Sequence, residues 1–325
     1  RLISTLFSKI KIAQNNFEIP NCIIGECSKL KILQSSNFAD FRNHFKAKLE
    51  KMFLVPADTF DNVKGKLPIG FKIWNLNKKE NFNKISADIY DTKATFIGEK
   101  NLYSNENGKY FSSFVNSIKL KNGTTVGWLE GTTRNSFQHN NIIQIINKKE
   151  QMSVPRGMNV YMENLINCTI CYTVRQCIEA TWLNDLDQFL YPNDGWQTDT
   201  EFQTDCLAFA LFHGQNRITS SEGTNHWIPF TEYEVNAQAK FESNFMTNFI
   251  KGKIKQEATT TDLFTNKVVS SSGVENNQNK PLVFSEEATA VFDAGRELWK
   301  YYHAQKDVNV NASLYDIREY FQGRN

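Results

Sequence analysis

Apolar and polar positions change period several times along this chain, and each change marks an element. Asn21-Cys-Ile-Ile-Gly-Glu26 carries a short apolar run closed by Gly, the pattern of a buried strand. Over residues 37–51, Phe38, Phe41, Phe45 and Leu49 recur at helical spacing with polar residues between them. Met52-Phe-Leu-Val-Pro56 is a second apolar run, residues 57–68 are a polar loop, and Gly70-Phe-Lys-Ile-Trp74 reads as a third strand. Lys78-Lys-Glu-Asn-Phe-Asn-Lys84 is a polar hinge. Beyond it the pattern predicts short strands at 86–97, 109–115, 124–130 and 141–147, with Asn107-Gly108 and Asn122-Gly123 as tight turns.

The period then lengthens. Val160, Ile166, Ile170, Val174, Ile178, Trp182, Leu186 and Phe189 predict one long helix, or two in line, over 159–191. Thr198-Asp-Thr-Glu201 and Thr231-Glu-Tyr-Glu234 have the form of capping boxes, in which a hydroxyl and a carboxylate satisfy free amides at a helix start. The first precedes the continuous apolar run 206–212. The second precedes Phe241, Phe245 and Phe249, four apart on one helical face. Residues 252–281 are rich in Ser, Thr, Asn and Gln and read as a linker. Helices follow at 285–303 and 313–322, the second closed by Gly323.

Composition narrows the field. A length of 325 residues suits two domains. With 37 Lys+Arg against 35 Asp+Glu, net charge does not call for nucleic acid, so any DNA contact must come from local patches. No apolar run reaches the length of a membrane helix, and no amino-terminal targeting pattern is present. The six Cys fit neither a disulfide framework nor a zinc site, so a reducing, cytoplasmic setting is expected.

The order strand, helix, strand, loop, strand resembles the last third of the adenine-specific (N6) DNA methyltransferases of bacterial restriction–modification systems. Val55-Pro-Ala-Asp-Thr-Phe60 and Leu67-Pro-Ile-Gly-Phe-Lys-Ile-Trp74 carry that likeness. Phe292-Asp-Ala-Gly-Arg-Glu-Leu-Trp-Lys-Tyr-Tyr-His303 and Asn311-Ala-Ser-Leu-Tyr-Asp-Ile-Arg-Glu-Tyr-Phe-Gln-Gly-Arg324 resemble the tail of large family members, so the likeness spans nearly the whole chain. It implies an α/β fold, with a partial Rossmann-like methyltransferase sheet at the amino terminus followed by an α+β, mostly helical target-recognition region. The implied divisions are a catalytic-fold portion at 1–78, the DNA-recognition region at 79–251, a flexible linker at 252–282 and carboxy-terminal helices at 283–325.

The family holds S-adenosylmethionine with a Gly-rich loop and grips the adenine amino group with an Asn/Asp-Pro-Pro-aromatic loop. This chain has no Gly-x-Gly, and no two of its seven prolines are adjacent. In the family both motifs lie upstream of the matching segment. The chain opens on Arg1 within a helical pattern of Leu2, Ile3, Leu6, Phe7 and Ile10. It is therefore read as a carboxy-terminal fragment, inactive alone, of a site-specific adenine-N6 methyltransferase. S-adenosylmethionine belongs to the complete enzyme, and no cofactor is expected in this chain. The expected partners are double-stranded DNA and the amino-terminal methyltransferase part of the same protein. The alternative is a stand-alone DNA-binding or specificity module without catalytic activity.

An enzyme that modifies a base must take it out of the duplex and hold it. An exposed aromatic ring does this by stacking, worth about 1–3 kcal/mol per base. The resemblance puts Phe60 on the family's loop facing the target base; by residue type alone, a Phe folds inward more often. Lys64 and Lys66 flank the same loop and suit phosphates, against the plain reading as surface lysines. Two polar loops, 131–141 and 214–226, carry the residue types that read base edges, and Arg134, Asn216 and Arg217 are the candidates there. The competing reading for each is simple solvation.

Other features carry less. Cys168-x-x-Cys171 lies in an apolar helical segment with no second ligand pair, so buried core thiols are expected rather than a metal site. His213 and His226 lack an arranged carboxylate or Cys and are expected to be structural. Asp185 and Asp187 have no partner for acid–base work. Asp91-x-Lys93 with Asp58 upstream has the form of a nuclease core, in a pattern short enough to arise by chance.

Overall fold

The structure is a computed structural model and describes residues 22–63, 65, 67–104, 110–132, 142–148, 157–179, 181–184, 194–254, 259–261, 268–270 and 280–323. It is mixed α/β, with a five-stranded mixed sheet and eight α-helices among the described residues. The chain divides into two compact units. The sheet unit holds Arg1–Ser117, Arg134–Asn140 and Ile178–Pro192; the helical unit holds Ile118–Thr133, Asn141–Cys177 and Asn193–Asn325.

In the sheet unit, β1 (Ile23–Lys29), β2 (Lys48–Pro56), β3 (Pro68–Asn75), β4 (Lys84–Tyr90) and β5 (Phe96–Tyr103) lie in the order β1-β3-β2-β4-β5. β3 is antiparallel to both β1 and β2, so those two run parallel. The short helices α1 (Lys31–Gln34) and α2 (Ala39–His44) make the crossover between them. The period of two in β3 sends Gly70, Lys72 and Trp74 to the core face and Ile69, Phe71 and Ile73 to the other. Leu30, Leu33, Met52, Leu54, Trp74, Ala87 and Leu102 build the core on that first face. Gly70 is fixed by packing, since a Cβ there would run into Met52 Cε and stand 3.0 Å from Leu30 Cδ2.

The strand, helix, strand, loop, strand order is present, but its helix stops sooner than expected. Leu49 belongs to β2 and lies opposite Trp74, because β2 extends to match the length of β3. Nor does the sheet end at residue 78. The polar stretch 78–84 is a connection inside the unit, and β4 joins the sheet parallel to β2. Residues 86–97, expected as one strand, contain the turn of the β4–β5 hairpin. Asp91 accepts hydrogen bonds from the N–H groups of Lys93 and Thr95, both at 2.8 Å, and Ala94 takes a left-handed φ of 60°. Residues 109–115, also expected as a strand, overlap α3 (Phe111–Ser117), which buries Phe111, Phe114 and Val115 at spacings of three and four.

In the helical unit, β6 (Thr125–Glu130) is flanked antiparallel by β7 (Ile145–Ile146) and β8 (Gly157–Tyr161). The helix expected over 159–191 divides: Val160 is in β8, and the helix proper is α4 (Leu165–Gln176). α5 (Thr200–Phe212) packs against α4. It is capped by Asp199, which accepts from Phe202 N–H at 3.0 Å, rather than by Thr198. The Thr231–Glu234 box is reciprocal, yet it closes a turn; the next helix is α6 (Phe245–Ile250). Of the expected linker, β9 (Thr259–Thr261) and β10 (Val268–Ser270) pair antiparallel, and the rest of 255–279 lies outside the described residues. α7 (Glu286–His303) packs on α5 and is capped by Ser285; α8 (Leu314–Gln322) opens on a Ser313–Asp316 capping box. No helix among the described residues is long and apolar enough to cross a membrane.

Candidate nucleic-acid interface

The loop between β2 and β3 leaves from Pro56 and returns at Pro68, which lie opposite one another. Lys29 of β1 lies opposite Ile69. The loop therefore stands beyond the carboxyl ends of the parallel strands β1 and β2, where open α/β sheets bind ligands. Its first turn buries Ala57 completely. Phe60 N–H donates to Ala57 O at 3.2 Å, Val63 N–H donates to Phe60 O at 3.3 Å, and Asn62 turns left-handed at φ 64°. The small Ala57 takes the buried place, and the Phe60 ring is left 41% exposed. Lys64, Lys66 and Arg134 lie outside the described residues.

The 214–226 loop is polar largely because it is tied to the fold. Asn216 is buried: its Oδ1 accepts from Ile145 N–H at 2.7 Å, and its Nδ2 donates to Ala210 O. That amide is buried and committed to α5 and β7. Thr219 and Asn225 are buried too, and Asn225 Nδ2 donates to Asn311 O at 3.0 Å. Arg217 differs. Its side chain is 46% exposed and only 3.9 Å from Glu222, a loose pair that leaves the guanidinium open to solvent.

The remaining titratable candidates are structural. Cys168 and Cys171 are buried in α4, and burial pushes the Cys171 thiol up to about 12. His213 accepts or donates a 2.6 Å hydrogen bond with the Tyr172 hydroxyl and stacks on Phe209 at 4.6 Å. His226 pairs with Ser243 Oγ at 2.8 Å. Burial holds both imidazoles below the usual histidine value. Asp91 spends its Oδ1 on the β4–β5 turn, a structural use of that carboxylate. Asp185 and Asp187 lie outside the described residues. Among the described residues no group of three or more His, Cys, Asp or Glu could hold a metal ion.

One concave site escaped the sequence reading. A cleft of about 290 Å³ opens between α1, α2, the end of β3 and the connection before β4. Phe41, Phe45 and Trp74 form its aromatic side, with Arg42, Asn43 and Asn83 among the polar ones. The helical spacing of Phe41 and Phe45 reads as core, and nothing local shows that Asn83 comes beside them. No family model, curated protein or solved structure gives a significant match to this chain.

Proposed function

We propose that this chain supplies the distal edge of the catalytic sheet, the base-stacking wall and the sequence-recognition region of a site-specific adenine-N6 DNA methyltransferase. An amino-terminal part of the same protein holds S-adenosylmethionine, which supplies the methyl group. This chain has no Gly-x-Gly and no Pro-Pro, so no residue of it is assigned to the cofactor.

The observation that carries the reading is the Phe60 ring, exposed on a loop beyond the carboxyl ends of β1 and β2. Two further features support it. β1 is an edge strand, and among the described residues its outer side pairs with no other strand, so a larger sheet has a place to continue. Arg217 offers an open guanidinium on the 214–226 loop, the group suited to guanine edges or to phosphate. In this reading a flipped adenine stacks on Phe60, and the recognition region fixes which adenine is taken.

The test is fluorescence of 2-aminopurine placed at a mismatch, where extrusion costs least. Binding of the chain is expected to quench the signal. Phe60→Ala is expected to abolish the quench while changing DNA affinity by less than about threefold, because phosphate contacts dominate affinity. Equal quenching by the two proteins refutes the stacking role.

A further inference from the structure

The cleft lies at the opposite end of the sheet from Phe60 and has its own chemistry. Phe41 and Phe45 stack at 4.9 Å with 18° between ring planes, and Trp74 meets Phe45 edge-on at 5.3 Å. They give the cleft one aromatic wall. No Asp or Glu lines it.

Arg42 is its fixed cation. Nη1 donates to Ser35 O at 2.8 Å and to Ile32 O at 3.2 Å, and Nη2 donates to the Tyr110 hydroxyl at 2.9 Å. All three acceptors are neutral, and two of the five guanidinium N–H groups are left over. Among the described residues no carboxylate pairs with it. Lys46 Nζ donates to Asn81 Oδ1, which brings a second positive charge to the rim. The side chains of Asn43 and Asn83 make no hydrogen bond within the described fold. Tying down the end of α1 would explain the two carbonyl contacts of Arg42. It does not explain a concave site where amides without fold partners meet rings and an unneutralised guanidinium.

We propose that this cleft binds a nucleotide by its base and its phosphate. The base lies against the aromatic wall, which accepts any planar ring. The amides of Asn43 and Asn83 each offer a donor and an acceptor to the base edge. The phosphate sits on the spare N–H groups of Arg42 in a charge-assisted contact. A volume of about 290 Å³ falls at the small end of ligand sites, roughly 300–1,000 Å³, and suits one nucleotide rather than a dinucleotide. The nucleotide can be free or the unpaired end of a strand. The proposal does not depend on Phe60 or on methyl transfer.

Calorimetric titration of the full chain tests it, with the four nucleoside 5′-monophosphates, the parent nucleosides, inorganic phosphate and a 5′-phosphorylated trinucleotide. At least one monophosphate or the trinucleotide is expected to saturate a single site. Its nucleoside should bind about tenfold more weakly, and phosphate alone should not saturate. A tighter trinucleotide assigns the site to a strand end; a tighter monophosphate assigns it to the free nucleotide. Arg42→Met should cost about tenfold or more. Asn83→Ala, which removes no contact of the fold, should cost about threefold or more. No saturation by any nucleotide or by the trinucleotide overturns the proposal, as does unchanged affinity in Asn83→Ala and Arg42→Met proteins that remain folded.

Discussion

Replacing Glu26 by Gln is expected to destabilise the sheet unit by about 3 kcal/mol, although it changes one side chain on an edge strand. Lys72 of β3 is fully buried and lies opposite Glu26 of β1. Its Nζ stands 3.0 Å from Glu26 Oε1. At an effective dielectric near 20 that separation gives an attraction of about 5.5 kcal/mol, set against several kcal/mol of desolvation for each ion. The other ammonium contacts are neutral: Ser28 Oγ and Gly70 O at 3.0 Å and Ser28 O at 3.3 Å. Burial pulls Lys72 below the ordinary lysine value of 10.5, and Glu26 pulls it back up. Gln keeps the shape and deletes that counter-pull. Removing one member of a buried pair costs about 3–5 kcal/mol. Lys72→Met should cost a comparable amount, since it orphans a carboxylate whose two oxygens are both buried. The double variant should recover most of the loss. Because the lysine is depressed when folded, the unfolded chain binds more protons between the folded value and 10.5, and stability rises with pH across that window. Without Glu26 the window widens toward neutrality and the rise grows. Urea denaturation of the four proteins against pH measures all of this. A Glu26→Gln protein within about 0.5 kcal/mol of the parent, or a double variant worse than Glu26→Gln alone, refutes the reasoning.

Asn216→Ala should cost about 2–4 kcal/mol, because it strands the buried Ile145 N–H and Ala210 carbonyl; an unchanged thermal midpoint contradicts that. Duplex DNA should bind with an affinity that falls steeply with salt, and Arg217→Ala should reduce the salt slope by about one while leaving stability within about 0.5 kcal/mol. Salt-independent binding rules out the phosphate contacts. Burial pushes Lys100 down to about 8 while its Nζ donates to Leu183 O and to Asn184 Oδ1 at 3.0 Å. Since the unfolded chain keeps that proton up to 10.5, stability should climb from about pH 8 toward 10.5, and Lys100→Met should flatten the climb in a denaturation series.

The parts of the fold legible in the sequence are those whose cause is local. β3 announces itself by strict alternation, α7 by a Ser cap with Glu286 and Glu287 in its first turn, and α8 by its Ser313–Asp316 box. The parts missed depend on partners far away or on turns without the usual residues. The β4–β5 turn is made by an Asp carboxylate and a left-handed Ala94 where Gly or Asn is the common choice. Val160 continues a helical period by chance, and only its pairing with Gly127 makes it a strand residue. The same division holds for the sites. Phe60 follows a small Ala57 that takes the inner position, a local reason for its exposure. Asn216 reads as a base-reading amide until Ile145, 71 positions away, is seen to use it. Arg42 reads as one more helix surface charge until Tyr110 arrives beside it, 68 positions on.

Both candidate sites follow from how β2 is paired. Its antiparallel partner β3 returns through the Phe60 loop at the carboxyl end of β2. Its parallel partner β4 must start at the amino end, which draws the preceding connection and Asn83 across to α2 and closes the cleft there. From Leu49 to Pro56 the strand rises roughly 23 Å at about 3.3 Å per residue, and its core face is packed throughout. Sites that far apart on a rigid element, with no shared partner, should respond independently to substitution. Phe60→Ala should therefore leave nucleotide titration untouched, and Asn83→Ala should leave 2-aminopurine quenching untouched. If each variant weakened the other's ligand, one strand would have to reach both ends of the sheet, and the two readings would merge into a single path for DNA.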